Sequence, residues 1–336
     1  MLFLLGILLA LSCCVAWIFL GPTINTSNVR YFYIHTGDDF AAVKENLTAK
    51  GILNNTFFFT VIAKQVHYPE HVKPGKYAIP SNSNLIHLVR MLHAGTQAEV
   101  RLVINKIRTK EDFAGKIGTQ FEADSTEVIR FLCSNDSLRS YQLDTNTVMT
   151  TFIPNSYLFY WNGSFRRIFD RLKKQHDYFW EGKRTKRANA LGYTPIEIYT
   201  IASIVEEETN MESDKGKIAS VYFNRLKKGM KLEADPTVKY AMRNFELTRI
   251  LHGHLDFPST HNTYYTKGLP PGPICTPSIN TIDAVLEAPK TDYIFFVAKP
   301  DFSGYSNFAA TYAEHLTYAK SYQKALDELI AKKAAH

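Results

Sequence analysis

Cysteine is scarce in this 336-residue chain. Two of the four cysteines, Cys13 and Cys14, fall in an apolar run at the start, which leaves Cys133 and Cys275 for the rest. No Cys-x-x-Cys occurs, so neither a disulfide framework nor a cysteine zinc site is indicated. Cys133 sits in Val-Ile-Arg-Phe-Leu-Cys and reads as a buried helix residue. A Gly-x-Ser-x-Gly elbow is missing, as is a Ser-x-x-Lys in a helix-opening context, and both absences count against a serine nucleophile. His252, His254 and His261 lie near Asp256, but in a segment that reads as a loop before Pro258. Solvated histidines are expected there rather than a metal site, and no metal or cofactor is predicted. Long apolar runs are also lacking, with one exception. Leu2 to Leu20 carries no charged side chain. As a helix it would reach roughly 28 Å, close to the hydrocarbon thickness of a bilayer. No clean small-x-small cleavage site follows it, so the expectation is an uncleaved anchor. No Lys or Arg precedes the run and Arg30 is the first after it, so charge alone orients it weakly.

The net charge is +7. Basic residues cluster at Arg166-Arg167, Lys173-Lys174, Lys183-Arg184-Thr185-Lys186-Arg187 and Lys227-Lys228. With no Gly-rich phosphate loop and no helix-turn-helix signature, nucleic acid is not the expected partner. A membrane surface or an anionic extracytoplasmic polymer fits an anchored chain better, and the basic runs themselves read as solvated helix faces.

Turn and cap signals divide the chain into four parts: an anchor over 1–21, a membrane-proximal strand–helix domain over 22–97, a module over 98–150 and a domain over 151–336. The fold class is α+β, small strand–helix modules followed by a mixed α/β domain. Strands are predicted at 31–34, 76–79 and 98–104, and helices at 40–50, 56–65 and 84–94, the last ending at Gly95. Strand, helix and helix in the third part resemble a lysin-motif (LysM-like) module by pattern. Phe165 to Trp180 reads as a basic amphipathic helix with Ile168, Phe169, Leu172 and Tyr178 as its apolar positions. Thr194-Pro195 opens another helix, with Thr at the N-cap and Pro in the first turn. A further helix spans 215–228, with Ile218, Val221, Tyr222 and Arg225 on one face and Gly229 after it.

Carboxylate chemistry survives these exclusions. At about 100° per residue, Ile201, Ile204 and Val205 share a helix side with Glu208, and Met211 follows on that stripe, whereas Glu206 and Glu207 point elsewhere and can reach water. A carboxyl on a buried face is costly to ionise and tends to stay protonated near neutral pH, as a general acid must. The alternative is an amphipathic helix with a frayed acidic end. Polar groups suited to a sugar lie nearby in sequence. Asn224 and Arg225 close a helix. Asp235 stands at a turn before a helix led by Thr237, and Asn262 and Tyr264 open a loop. That loop is closed by Gly268-Leu-Pro-Pro271-Gly-Pro-Ile274, whose prolines leave few conformers and suit a preorganised wall. A rigid connector without a ligand is the other reading.

Ile201-Ala-Ser-Ile-Val-Glu-Glu-Glu-Thr209, Ile218-Ala-Ser-Val-Tyr-Phe-Asn-Arg-Leu226, Leu232-Glu-Ala-Asp-Pro-Thr-Val238, Asn262-Thr-Tyr264 and Gly268–Ile274 resemble, in order and spacing, the endolytic murein transglycosylase (YceG-like) family. Tyr293-Ile-Phe-Phe-Val297 and Glu314-His315 extend the likeness, and Pro154-Asn-Ser-Tyr157 adds a weaker upstream match. The resemblance implies a single-pass protein of the cell inner membrane with its catalytic part in the periplasm. It further implies cleavage of peptidoglycan glycan strands between MurNAc and GlcNAc, leaving 1,6-anhydroMurNAc ends, with cell-wall synthases as partners. The catalytic acid carries over to Glu208, with Glu206 as runner-up, because three adjacent acids blur the register and Glu207 stands where the family usually has Lys or Arg. Ser156 stands where Thr is common. Asn224, Asp235, Thr237, Asn262, Tyr264 and Pro271 are the expected substrate-binding or acid-orienting positions. Two rivals remain: a hydrolytic muramidase using Asp235 or Glu233 as second carboxylate, and an anchored glycan-binding scaffold.

Overall fold

In the computed structural model, residues 30–81 and 83–334 are described, together with Gly6 and Ile24. The anchor expected over 1–21 therefore lies, Gly6 apart, outside the described residues. Among the described residues no helix is long and apolar enough to cross a membrane. The architecture is α+β, with many helices and small two-stranded sheets. Two compact units interleave along the chain. The first takes residues up to 102 with 117–124 and 157–165, and the second takes 103–116, 125–156 and 166 onward.

In the first unit, β1 (Tyr31–Ile34) pairs antiparallel with β2 (Gly75–Ala78), Phe32 opposite Tyr77. Helices α1 (Phe40–Ala49), α2 (Phe57–Gln65) and α3 (Leu85–Ala94) contribute Val43, Leu47, Phe59, Leu88 and Leu92 to a core around Phe32, Ile34 and Tyr77. Local signals set the ends of these helices. Asp39 accepts from the Ala42 N–H, Asn84 accepts from the His87 N–H, and Gly95 stops α3 in the left-handed region at φ 74°.

The chain then passes between units through β3 (Glu99–Ile104), α4 (Lys110–Gln120), α5 (Ser125–Leu132), α6 (Asn135–Arg139) and β4 (Asn155–Tyr160), with β3 and β4 paired. The strand–helix–helix order read over 98–150 is present. Thr109 and Asp112 form a reciprocal cap on α4, at 3.1 and 3.0 Å. Cys133, expected in the core, is exposed just past the end of α5.

The second unit is built on α9 (Pro195–Glu208), which opens with the Thr194/Glu197 capping box and buries every residue from Ile198 to Val205. The expected one-sided stripe is thus a helix enclosed on all sides. Around it pack α8 (Lys183–Leu191), α10 (Glu212–Lys227), α11 (Asp235–Ala241) and α13 (Ile279–Leu286). Met211 does not continue the stripe: α9 stops at Glu208, and Met211 is the N-cap of α10. In α7 (Phe165–Trp180), Phe165, Ile168, Phe169, Leu172, His176 and Trp180 are buried, whereas Tyr178 is exposed because it lies off that stripe. The basic run of α8 is not wholly solvated. Arg184 forks onto Asp283 of α13 at 2.8 and 2.9 Å, and Arg187 pairs with Glu287. The short helix α12 (His252–Leu255) occupies part of the expected histidine loop. The chain ends with β5 (Phe295–Ala298) antiparallel to β6 (Ser306–Ala309), and with α14 (Tyr312–Ala334) packed on both.

The proline-rich segment is stapled to α9. Ser203 Oγ accepts from the Ile274 N–H at 3.0 Å, and the Cys275 thiol donates to the Ser203 carbonyl at 3.4 Å. Gly272 is required there, because a Cβ would lie 2.0 Å from the Asn146 carbonyl oxygen. Gly272→Ala is expected to force these two backbones apart and cost about 1–3 kcal/mol. Thermal unfolding checks this, with an expected fall of roughly 2–10 °C.

Candidate active site

Glu208 is the last residue of α9, where the helix dipole turns its negative end toward the side chain. Only part of it meets solvent, and protein surrounds it densely. Tyr222, fully buried on α10, donates its hydroxyl to Glu208 Oε1 at 2.7 Å. Burial raises the Glu208 carboxyl to about 7. The Tyr222 hydrogen bond opposes that shift, the negative charge of Asp235 adds to it, and Lys239 and Arg225 pull the other way. The result is an acid half-protonated near neutral pH, the condition of an efficient proton donor. Tyr222 in turn is held well above the usual tyrosine range by burial and by Glu208, so it remains a donor.

Asp235 opens α11 rather than standing in a turn before it. Its carboxylate accepts from the Tyr264 hydroxyl at 2.7 Å, and its charge is felt at Glu208. Asp235 and Tyr264 are therefore brought to the acid. Three other expected residues hold backbone in place. The Asn224 amide donates to the Thr291 and Tyr293 carbonyls at 2.7 and 2.9 Å. The Asn262 amide, fully buried, donates to the Leu255 and Phe257 carbonyls at 2.9 Å and accepts from the Tyr264 N–H. Thr237, also fully buried, meets the Ala234 carbonyl and the Thr263 hydroxyl. Asn262 and Thr237 thereby fix the segment that carries Tyr264 and aims it at Asp235. Pro271 is exposed on the proline-rich segment.

Glu206 and Glu207 do point away from Glu208, but not into water. Glu206 accepts from Ser278 Oγ at 3.0 Å and from Thr281 Oγ1, with the Lys215 ammonium at 3.8 Å. Glu207 takes a two-pronged Arg108 guanidinium at 3.0 Å on both oxygens, with Lys106 at 3.5 Å. Of the three adjacent acids, Glu208 alone has no cation within ion-pair distance among the described residues.

Tyr222 and Lys239 are not among the positions that the sequence marks as site residues. For Tyr222 the available signal is a tyrosine on an otherwise apolar buried helix face, since a buried phenol needs a hydrogen-bond partner. Tyr222→Phe removes a hydrogen bond that favours ionised Glu208. The alkaline limb of a pH–rate profile is expected to move up by about one unit, with the rate near pH 6 nearly unchanged.

Fold and site together define a helix-rich α+β protein organised around one tuned carboxylic acid. The chain belongs to the YceG-like family, whose model matches residues 32–321. An endolytic murein transglycosylase of Bacillus subtilis (strain 168) is 41% identical over 157 residues, 47% of this chain and 42% of that protein. One of Streptococcus pneumoniae (serotype 2, strain D39) is 35% identical over 109 residues, 31% of this chain and 20% of that one. The chain thus spans less than half the length of these curated relatives. The 2.6 Å crystal structure of a yceG-like protein from Listeria monocytogenes superposes with a TM-score of 0.58 at 26% identity, covering 85% of this chain and 97% of that one.

Proposed function

We propose that the protein is a lytic transglycosylase of peptidoglycan. The observation that carries the reading is Glu208, a carboxyl raised to about 7 by burial and hydrogen-bonded by Tyr222. Protonated Glu208 donates to the glycosidic oxygen between MurNAc and GlcNAc. The MurNAc C6 hydroxyl then attacks C1 and gives its proton to the same carboxylate, closing a 1,6-anhydro ring. One carboxyl suffices because the nucleophile belongs to the substrate, unlike the paired carboxylates of most glycosidases. The names of the relatives support murein as substrate. The apolar run over 2–20 supports a membrane-anchored protein working on strands outside the cytoplasm, with the LysM-like pattern over 98–150 preceding the 151–336 part in sequence. Action on nascent strands beside cell-wall synthases fits this placement.

Asp235, close enough to act on Glu208, favours a second reading, a muramidase in which Asp235 activates water. The chain ends of the product separate the two. The purified protein, incubated with uncrosslinked glycan strands and followed by mass spectrometry, is expected to leave anhydro ends. Reducing ends would replace the transglycosylase by a hydrolase. Strand binding without cleavage would leave a glycan-binding scaffold.

A further inference from the structure

Beside the acid lies a small cavity of about 60 Å³, lined by Arg108, Glu207, Pro236, Lys239, Tyr240, Phe245 and Ile274. Its charge is unbalanced. Arg108 is neutralised by Glu207 and stacks over the Phe245 ring at 5.1 Å. Lys239 is half-buried, and among the described residues no carboxylate lies within ion-pair distance of it. Lys239 follows Asp235 by four positions on α11, so the two share a face, yet they do not pair. Lys239 lines the cavity instead, together with Tyr240, Phe245 and Pro236. A half-buried cation without a partner is costly, and an incoming anion would supply the missing partner. The volume admits a carboxylate-sized group. Lys239 also lies close enough to Glu208 to act on its charge, which puts the cavity within reach of a strand held at the acid.

We propose that this cavity is a carboxylate subsite in which Lys239 receives an anionic substituent of the glycan and sets the strand's register on Glu208. The proposal rests on the reading of the protein as a murein-cleaving enzyme. Murein offers two sources of the group: the lactyl carboxylate of MurNAc, free where the peptide stem has been removed, and the carboxylates of the stem itself.

The test compares the full chain with Lys239→Met and Lys239→Arg on three substrates: stem-free strands, stem-bearing uncrosslinked strands, and stem-free strands with every lactyl carboxylate converted to its methylamide. Lys239→Met is expected to raise KM about tenfold on the strands carrying the recognised carboxylate, with kcat at about pH 6, where Glu208 is mostly protonated in both proteins, little changed. Lys239→Arg should restore most of the loss, and the methylamide strands should not distinguish Lys239→Met from the native chain. An effect on stem-free strands assigns the lactyl group, whereas one confined to stem-bearing strands assigns the stem. Equal KM values on both charged substrates overturn the proposal. So does an upward shift of the alkaline limb of the pH–rate profile at constant KM, which would leave Lys239 acting only through the charge of Glu208. Binding of the same strands is measured alongside by co-sedimentation. If the native chain cleaves nothing, the enzymatic reading fails by itself. The subsite then stands or falls on whether Lys239→Met weakens binding to the charged strands alone.

Discussion

Glu208→Gln is expected to lower strand cleavage by about a hundred- to ten-thousandfold while leaving the strand bound, because the amide keeps the shape of the carboxyl but has no proton to transfer. In the native chain the same group predicts the alkaline limb of the pH profile. With the carboxyl near 7, the rate should fall about tenfold per pH unit above that point. The substitution has a second, opposite consequence. Because burial raises this carboxyl, the folded protein binds more protons than the unfolded chain between the ordinary value of 4.5 and about 7. The stabilisation from protonated Glu208 is therefore whole below about pH 4.5 and is lost as pH rises through about 7. The neutral amide carries no such penalty. Glu208→Gln should match the native protein in stability at about pH 4.5 and exceed it by about 1–3 kcal/mol at about pH 8. Thermal melts at the two pH values check the sign. Equal melting differences at both would mean that Glu208 is not desolvated, and the proton-donor reading would lose its physical basis.

Arg225→Met is expected to cost about 3 kcal/mol or more of stability. Arg225 is buried at the end of α10. Its Nε donates to the Ile294 carbonyl at 2.7 Å, and its Nη1 donates to the Leu232 carbonyl at 2.9 Å and to Glu233 Oε2 at 3.0 Å. The guanidinium also stacks over the Phe295 ring at 5.3 Å. One side chain thus ties α10 to β5 and to the segment that leads into α11. Glu233, in that segment, is held in the left-handed region at φ 52°. Methionine fills the volume but leaves the carbonyls without donors. Differential scanning calorimetry should show a fall of roughly 6–12 °C for a unit of this size. Arg225→Lys should recover only part of it, since one ammonium cannot reproduce the planar fork. Asp235 rides on the displaced segment, so cleavage should fall with stability.

Features under short-range physical control were legible in the amino-acid order alone. Thr194, Pro195 and Glu197 open α9 as their capping chemistry requires, Asn84 and Gly95 bound α3, and Thr109 and Asp112 cap α4. Each rests on hydrogen bonds or backbone freedom within four residues. Helical spacing likewise put Glu208 apart from Glu206 and Glu207, as the structure has it. Tertiary structure alone decided what each acid meets. Glu207 finds Arg108 across 99 residues, Glu206 finds Ser278 and Thr281 across 72 and 75, and Tyr222 reaches Glu208 only after α10 folds back on α9. No periodicity encodes such partners, because they depend on which helix faces which once the core closes. The same closure turned Asn224, Thr237 and Asn262 to backbone carbonyls and hydroxyls, while Asp235 and Tyr264 went to the acid. Polar residues near one another in sequence look alike until packing removes water from some and leaves others at the site.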